Sequence, residues 1–433
     1  MDRKTFLENI WEKYPSAPLA PQEPSARQTL QPTSQASSAW WHWGRFVGLA
    51  KDEMPEGQLI LLQGEEKLSL SVHRRRVGAV RAETSFEDFL SILSFGDWLA
   101  VSEDEIMLLA PALVEPKISP VSERVLKDWN DFRLKVEIFF TQRSFLQVAT
   151  PSLVGCPGTE PFLDVFSLEL RKGSRQLPRF LPTSPELQLK KMLAMGFAKI
   201  FEIRPCFRDG EISDRHQPEF WMLEWYRAFA DLRAIREDLK ALIRQVTGDM
   251  ELPFHQATVA DLFHRHFGFS LTPQTTRREL ESLAVRLGLQ VQAQENWDDL
   301  FGRIFVDRIE PLLSSEEPLF LEKYPPSQAA LARVTEDGWA DRFELYWRGF
   351  EIANAFHELN DPQVQRQRTE VDSRERSRLG KAPLTADEEF FRALDSGMPP
   401  SGGIALGLER LFMAWRGLRS LRQLRVFFES PEA

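Results

Sequence analysis

Residues 201–229 hold the first group of side chains able to do chemistry together. They read as two strands around a polar loop that runs from Asp209 to Pro218. Period-two alternation puts Glu202, Arg204, Cys206 and Arg208 on one face of the first strand, and Phe220, Met222, Glu224 and Tyr226 on one face of the second. Trp221, Leu223 and Trp225 then point the other way, into a core. The mixed face suits an anion on Arg208, a flat ring on Phe220 and an amine on Glu224, because an arginine fork matches phosphate or carboxylate. Cross-strand Arg–Glu pairing on a solvated sheet is the plainer reading.

A second group lies in residues 343–359, which read as a hairpin turning at Arg348-Gly349. Glu344 and Glu351 fall opposite or diagonal on one face. Like charges so placed are unfavourable unless a divalent cation, or a neighbouring Lys or Arg, neutralises them. Asn354, Phe356 and Glu358 alternate onto a face of the other parity. All five reach one site only if a bulge intervenes near Ala353. The third group is Ser401-Gly402-Gly403-Ile404-Ala405-Leu406-Gly407, a small-residue strand leading into a helix that carries Glu409 and Arg410. Such a strand lets a ligand approach the backbone, and an arginine in the first helical turn suits a phosphate.

These groups need a scaffold. The chain has no GxxxxGK[ST] loop and no GxGxxG after a strand, so nucleotide chemistry must use another frame. An amphipathic helix is expected over residues 121–142, followed by a strand over 145–149 closed by Thr150-Pro151. Helices are expected over 258–300. Strands and helices mix without regular βαβ alternation, which predicts an α+β fold around a largely antiparallel sheet flanked by helices.

Taken in order, the helix and strand ending at Pro151, the Phe207-Arg208 strand with its loop, and the Gly-rich strand leading to Arg410 resemble motifs one, two and three of class II aminoacyl-tRNA synthetases. His216, Pro218-Glu219-Phe220, Glu224, Tyr226, Glu351 and Asn354-Ala355-Phe356-His357-Glu358-Leu359 look like the lysine branch. Within it, Met222-Leu223-Glu224-Trp225-Tyr226, Ser184 in Thr183-Ser184-Pro185-Glu186, and Ala405 are similar to the paralogues that modify a lysine of translation elongation factor P with β-lysine. The resemblance covers residues 125–430.

It implies ATP as co-substrate, Mg²⁺, and a lysine or β-lysine activated as an acyl-adenylate for transfer to elongation factor P. Arg208, Arg410 and Glu351 would be catalytic, and Arg208, Glu211, His216, Phe220, Glu344, Glu351, Gly407 and Arg410 would bind ATP, with Mg²⁺ on Glu344 and Glu351. Ser184, Glu186, Glu224, Tyr226, Asn354, Phe356, Glu358 and Ala405 would line the amino acid pocket. Motif one implies a homodimer. The pattern departs from the branch at Gly210, where an acidic residue is usual and Glu211 stands one position later, and at Ala355, where glycine is usual. The alternatives are a lysyl-tRNA synthetase charging tRNA, and a catalytically silent binding module.

The 433 residues are too many for one ordinary domain. Residues 1–39 read as a short amphipathic segment and a Pro/Ser-rich linker, 40–118 as a small β module of reduced oligonucleotide-binding (OB) barrel type, and 119–433 as the synthetase-like domain. The module is expected to hold strands over 41–49, 58–62, 67–73, 97–101 and 106–109, with a helix over 83–93. Residues 1–118 carry 12 Lys and Arg against 17 Asp and Glu, so the module is no basic patch. Trp40, Trp41 and Trp43 beside Arg74-Arg75-Arg76 could stack bases, with a Trp core cluster as the plainer reading. Two cysteines, Cys156 and Cys206, make neither a disulfide framework nor a zinc site, and read as buried thiols. With no apolar signal segment and no membrane-length apolar run, a cytoplasmic protein is expected.

Overall fold

The computed structural model describes residues 42–50, 58–63, 66–71, 76–78, 93, 97–101, 105–110, 121–158 and 160–430. The chain divides into two compact units, Met1–Leu126 and Lys127–Ala433. The expected segments over 1–39, residues 83–92 of the helix expected over 83–93, Trp40, Trp41, Arg74 and Arg75 lie outside the described residues.

In the first unit the strands are β1 (His42–Ala50), β2 (Gln58–Gln63), β3 (Glu66–Ser71), β4 (Arg76–Gly78), β5 (Trp98–Val101) and β6 (Glu105–Ala110). They form one sheet in the order β3-β2-β1-β5-β6-β4. Neighbours are antiparallel except β4 and β6, and β1 carries an irregularity between Phe46 and Gly48. The five runs read from alternation all appear, close to their expected bounds, and β4 is the strand that reading missed. Three residues are too few to show a period.

The second unit opens with helix α1 (Glu123–Gln142). Phe132, Val136, Phe139 and Phe140 recur at helical spacing and are buried. Phe140 stacks on Phe201 with ring centroids 4.8 Å apart and leans on Trp225 at 5.1 Å. An eight-stranded sheet forms the frame, in the order β12-β13-β14-β15-β16-β11-β10-β7. Its members are β7 (Leu146–Gln147), β10 (Lys199–Phe207), β11 (Glu219–Ala228), β12 (His255–Thr258), β13 (Leu319–Tyr324), β14 (Ala340–Trp347), β15 (Phe350–His357) and β16 (Ser401–Gly407). All pairs are antiparallel except the outermost, β12 with β13 and β7 with β10. The strand expected over 145–149 is only the two residues of β7, because Thr150 and the prolyl residue after it turn the chain away. A separate hairpin, β8 (Ser167–Lys172) with β9 (Arg175–Phe180), stands apart from the sheet.

Helices cover the sheet: α2 (Glu186–Ala194), α3 (Leu232–Thr247), α4 (Val259–Phe267), α5 (Arg277–Arg286), α6 (Trp297–Ile304), α7 (Pro362–Arg378), α8 (Glu388–Asp395) and α9 (Leu408–Arg416). Sequence-local signals end many of them. The Asp231 side chain accepts from Ala234 N to start α3, and left-handed Gly248 ends it. Capping boxes at Thr258, Thr276 and Asn296 start α4, α5 and α6, the helices expected over 258–300. These three pack a core of their own with β13, through Phe263, Phe301, Ile304 and Leu321.

Candidate active site

The β10–β11 register pairs Glu202 with Glu224, Arg204 with Met222 and Cys206 with Phe220, so the two strands do share the expected face. The face divides by function. Glu202 accepts from the backbone N and hydroxyl of Thr150, at 2.9 Å each. Arg204 donates to the Thr150 hydroxyl at 2.6 Å and to the Ser152 hydroxyl at 2.9 Å. These two residues tie the Thr150–Ser152 turn to the sheet and carry no opening to a ligand. Cys206 and Cys156 are free, buried thiols whose pKa values burial pushes up, so neither is a nucleophile.

Beyond them a cavity of about 170 Å³ is lined by β11, β15, β16 and the loop after β10. Ser184, Glu186, Arg208, Glu211, His216, Phe220, Glu224, Tyr226, Glu351, Asn354, Phe356, Glu358, Ala405, Gly407 and Arg410 all line it. Of the residues that the resemblance assigned to ATP, metal or amino acid, Glu344 alone is not on its wall. The parity problem in the hairpin is solved as the sequence required. Leu345 pairs with Ala353 and Tyr346 with Glu351, so Ile352 is an extra residue that shifts the register. That bulge brings Glu351 round to the side of Asn354, Phe356 and Glu358.

One end of the cavity is cationic. Arg208, Arg215 and Arg410 converge there with His216. The Arg208 guanidinium sits 5.0 Å from the Phe220 ring centroid, and its buried Nε has no hydrogen-bond partner. Arg410 donates through Nη1 to the Glu351 carbonyl at 3.0 Å and stands 2.8 Å from His216 Nε2. Burial and the Arg410 charge hold the His216 pKa below its usual value. The ring is therefore neutral, with Nε2 accepting from Arg410 and Nδ1 facing the Ser213 hydroxyl at 2.9 Å. Gly210 takes a positive φ of 75° with open space around it, a conformation that favours glycine. The turn it makes delivers Glu211 to the cavity wall, 3.8 Å from Arg208.

The other end is anionic and buried. Glu224 and Glu358 are almost fully buried and Glu186 nearly so. Tyr226 donates its hydroxyl to Glu224 at 3.0 Å. Burial, then the neighbouring Glu186, drives the Glu224 pKa well up. Glu358 is pushed up to about 8 by burial, against the opposing pull of Lys190. Four buried acceptors here lack a hydrogen-bond partner, Glu224 Oε1, Asn354 Oδ1 and both oxygens of Glu358, of which only Oε2 has a counter-charge, in Lys190 at 2.6 Å. A buried acceptor without a donor is costly, so the wall is shaped for a ligand rich in N–H groups. Ala405 on β16 pairs with Glu224 on one side and Asn354 on the other, which puts it between the two acceptors. Gly403 pairs with Tyr226 and Phe356, and a Cβ there would overlap Glu358 Oε1 and the Tyr226 ring.

Three features escaped the sequence reading. Lys190 reaches both Glu186 and Glu358 at 2.6 Å, and its i,i+4 spacing from Glu186 was the available signal. Arg342, with the hydroxyls of Tyr324 and Tyr346, engages both oxygens of Glu344, so an arginine neutralises that carboxylate. The tail after α9 reaches back: Leu421 lines the cavity, and Gln217 exchanges hydrogen bonds of 3.0 and 2.9 Å with the Glu429 backbone.

Among the described residues no group of three or more His, Cys, Asp or Glu stands together as a ready-made metal site. A cation held by one or two carboxylates and by substrate phosphates needs no such cage. Glu351, on the wall at the arginine end, fits that use, while Glu344 is off the wall and taken up by Arg342 and the Tyr324 and Tyr346 hydroxyls. The unpartnered Arg208 Nε and the Phe220 ring fit an anion beside a flat heterocycle.

Comparison with known proteins agrees with this geometry. The family model described as tRNA synthetases class II (D, K and N) matches residues 118–430. Ligases of this class use ATP with a divalent cation. The elongation factor P–(R)-β-lysine ligase of Hamiltonella defensa is 34% identical over 307 residues, 69% of this chain and 92% of that protein. The protein of the same name from Haemophilus influenzae is 37% identical over 284 residues, 64% of this chain and 87% of its own. That of Haemophilus ducreyi is 35% identical over 298 residues, covering 68% and 90%. With the motif order, the sheet and the paired ends of the cavity all in place, the chain belongs to the class II tRNA synthetases of the D, K and N group, as a ligase of the lysyl-tRNA synthetase type.

Proposed function

We propose that the protein activates (R)-β-lysine with ATP and transfers the acyl group to a lysine of translation elongation factor P. The observation that carries this is the charge of the buried end. Three carboxylates, Glu186, Glu224 and Glu358, stand with one internal ammonium, Lys190, so that once all three are ionised two negative charges remain for a substrate with two ammonium groups. The relatives that bear this activity in their names are covered almost end to end by the shared part of the chain, which supports elongation factor P as acceptor.

In this reading Glu186 and Glu224 take the α- or β-ammonium, and Tyr226 and Glu358 the ε-ammonium. Asn354 and Phe356 shape the pocket, and Ser184 and Ala405 crowd an α-amino group and suit one moved by a carbon. Arg208 holds the substrate carboxylate against the α-phosphate and stabilises the charge that develops in line. Phe220 stacks on adenine, and Glu211 beside Arg208 lies within reach of it. His216, Gly407 and Arg410 accommodate the polyphosphate. Glu351 would hold Mg²⁺, which supplies charge neutralisation to the phosphates.

A carboxylate oxygen attacks the α-phosphorus as the bond to pyrophosphate breaks. The acceptor lysine, as a free amine, then attacks the acyl carbon, AMP leaves and the amide nitrogen loses its proton. No nucleophilic side chain is required; positioning and electrostatics suffice. A homodimer through α1, which leaves Leu134 and Ile138 exposed, and a cytoplasmic site of action complete the reading. Among the described residues no helix is long and apolar enough to cross a membrane.

The test is a competition for acceptor. The protein is incubated with ATP, Mg²⁺ and labelled (R)-β-lysine or α-lysine, with elongation factor P and tRNA present together. Label in the protein fraction, stronger with β-lysine, is the expected result. Label on tRNA with α-lysine would overturn it, and would give residues 40–118 a tRNA to bind.

A further inference from the structure

Resting on that substrate reading, we propose that Lys190 is a built-in cation of the amino acid pocket. Its ammonium ties Glu186 to Glu358, fixes the spacing of the two carboxylates that receive the substrate's two ammonium groups, and sets the pocket's charge at the value one diamino acid cancels. Lys190 is therefore a positioning and specificity residue that never touches the substrate.

The geometry carries this. Lys190 lies one turn after Glu186 on α2, with a side chain only 1% exposed, and it is absent from the cavity wall that Glu186 and Glu358 line. It meets Glu186 Oε1 and Glu358 Oε2 at 2.6 Å each, while Glu358 Oε1 stays unpartnered. One carboxylate oxygen is thus anchored from behind and the other left for a ligand. A lysine wanted only for packing would bury its stem and keep its head in water. The next residue, Lys191, has a separate partner in Asp387 at 2.6 Å and is not a substitute. The charged and titratable groups around the ammonium are Glu186 on α2, Glu224 and Tyr226 on β11, and Glu358 just beyond β15. Burial alone would lower the lysine's pKa, but Glu186 and Glu358 outweigh it and the net shift is upward. The ammonium is thus charged whenever the pocket is in use.

Without it, two buried carboxylates would repel. One would take a proton, and the anchored oxygens would be free to swing. Lys190→Met keeps the length and removes the charge. The full-length variant is assayed by ATP–pyrophosphate exchange with (R)-β-lysine, from about pH 6 to about pH 9, around the range where a raised carboxyl titrates. The expected result is an amino acid KM raised roughly tenfold or more with the ATP KM unchanged, a difference worth at least one decade of affinity. The pH at which the amino acid KM improves should also move up by about one unit or more, because an opposite charge no longer favours the ionised Glu358. A lysine needed only for folding would move neither quantity in protein that has folded.

Lys190→Met/Glu186→Gln, which lacks the extra buried anion, is made in parallel in case the single variant does not fold. Compared with Glu186→Gln alone, it should still show the raised KM and the displaced pH limb, since Glu358 has again lost its cation. Wild-type amino acid KM and pH limb in folded Lys190→Met, or no further change on the Glu186→Gln background, would overturn the proposal. Absence of exchange by the wild-type protein with any lysine isomer is a separate outcome, and it would sink the substrate reading itself.

Discussion

At the scale of single residues the amino acid end of the pocket is a set of buried charges. Glu358 is the most telling, since burial raises its carboxyl to about 8 despite the ammonium beside it. A carboxyl whose folded pKa lies above its unfolded value stabilises the fold fully at low pH, and that stability is lost as pH rises through the folded value. The ligand-free protein should therefore lose part of its thermal stability between about pH 5 and about pH 8. Binding of β-lysine should tighten over the same interval, because the ionised form receives the ammonium. Melting curves with and without amino acid check both signs, and a ligand-induced gain in Tm that shrinks towards pH 8 would contradict them. Ala405 acts through shape. It is flanked by Glu224 and Asn354, and on the proposed reading its methyl takes the space that an α-amino group would need. Ala405→Gly should shift the kcat/KM ratio towards α-lysine by about 1–3 kcal/mol, the usual worth of one carbon in a pocket. Exchange rates measured with the two isomers in parallel give that ratio directly.

At the scale of elements, the extra residue in β15 decides which side chains meet. With Ile352 out of register, Glu351 and Asn354 share a side; without it they could not. Deleting Ile352 should leave the fold intact by far-ultraviolet circular dichroism and turn Glu351 away from the cavity. Exchange activity should then fall by about two decades or more, as when a preorganised charge is lost. A deletion variant that keeps wild-type exchange would show that Glu351 has no part in handling the phosphates. The bulge was legible in the sequence because two functional sets of opposite parity demanded one. The faces of β10 and β11, the turn at Arg348-Gly349 and the Gly-rich strand were legible for a similar reason, since alternation with period two is a local signal. Lys190 was not, because a lysine four residues after a glutamate is what any exposed helix shows, and only the fold buries it. Arg342 and the Tyr324 and Tyr346 hydroxyls, which occupy Glu344, come from neighbouring positions of β13 and β14. Nothing in the sequence says that those two strands pair. Gly210 read as a departure from the family pattern, but its left-handed backbone is what brings Glu211 to Arg208.

At the scale of the whole molecule, the family match spans residues 118–430, and 64–69% of this chain covers the relatives to between 87% and 92% of their own lengths. The six-stranded sheet of the first unit lies outside the family match. Within the second unit the cavity is polarised end to end, with arginines at one end and carboxylates at the other. Electrical complementarity of this kind judges a visitor by its charges before it judges the rest of its structure. Putrescine carries two ammonium groups four carbons apart, as β-lysine does, and has no carboxyl group. It presents both cations at the proposed substrate's separation and offers nothing for Arg208 to hold, so it should occupy the buried end without being adenylated. It should inhibit exchange competitively against β-lysine and not against ATP, which initial-rate measurements at several concentrations of each would reveal. The polarity proposed to select the substrate would thus also expose the enzyme to free diamines.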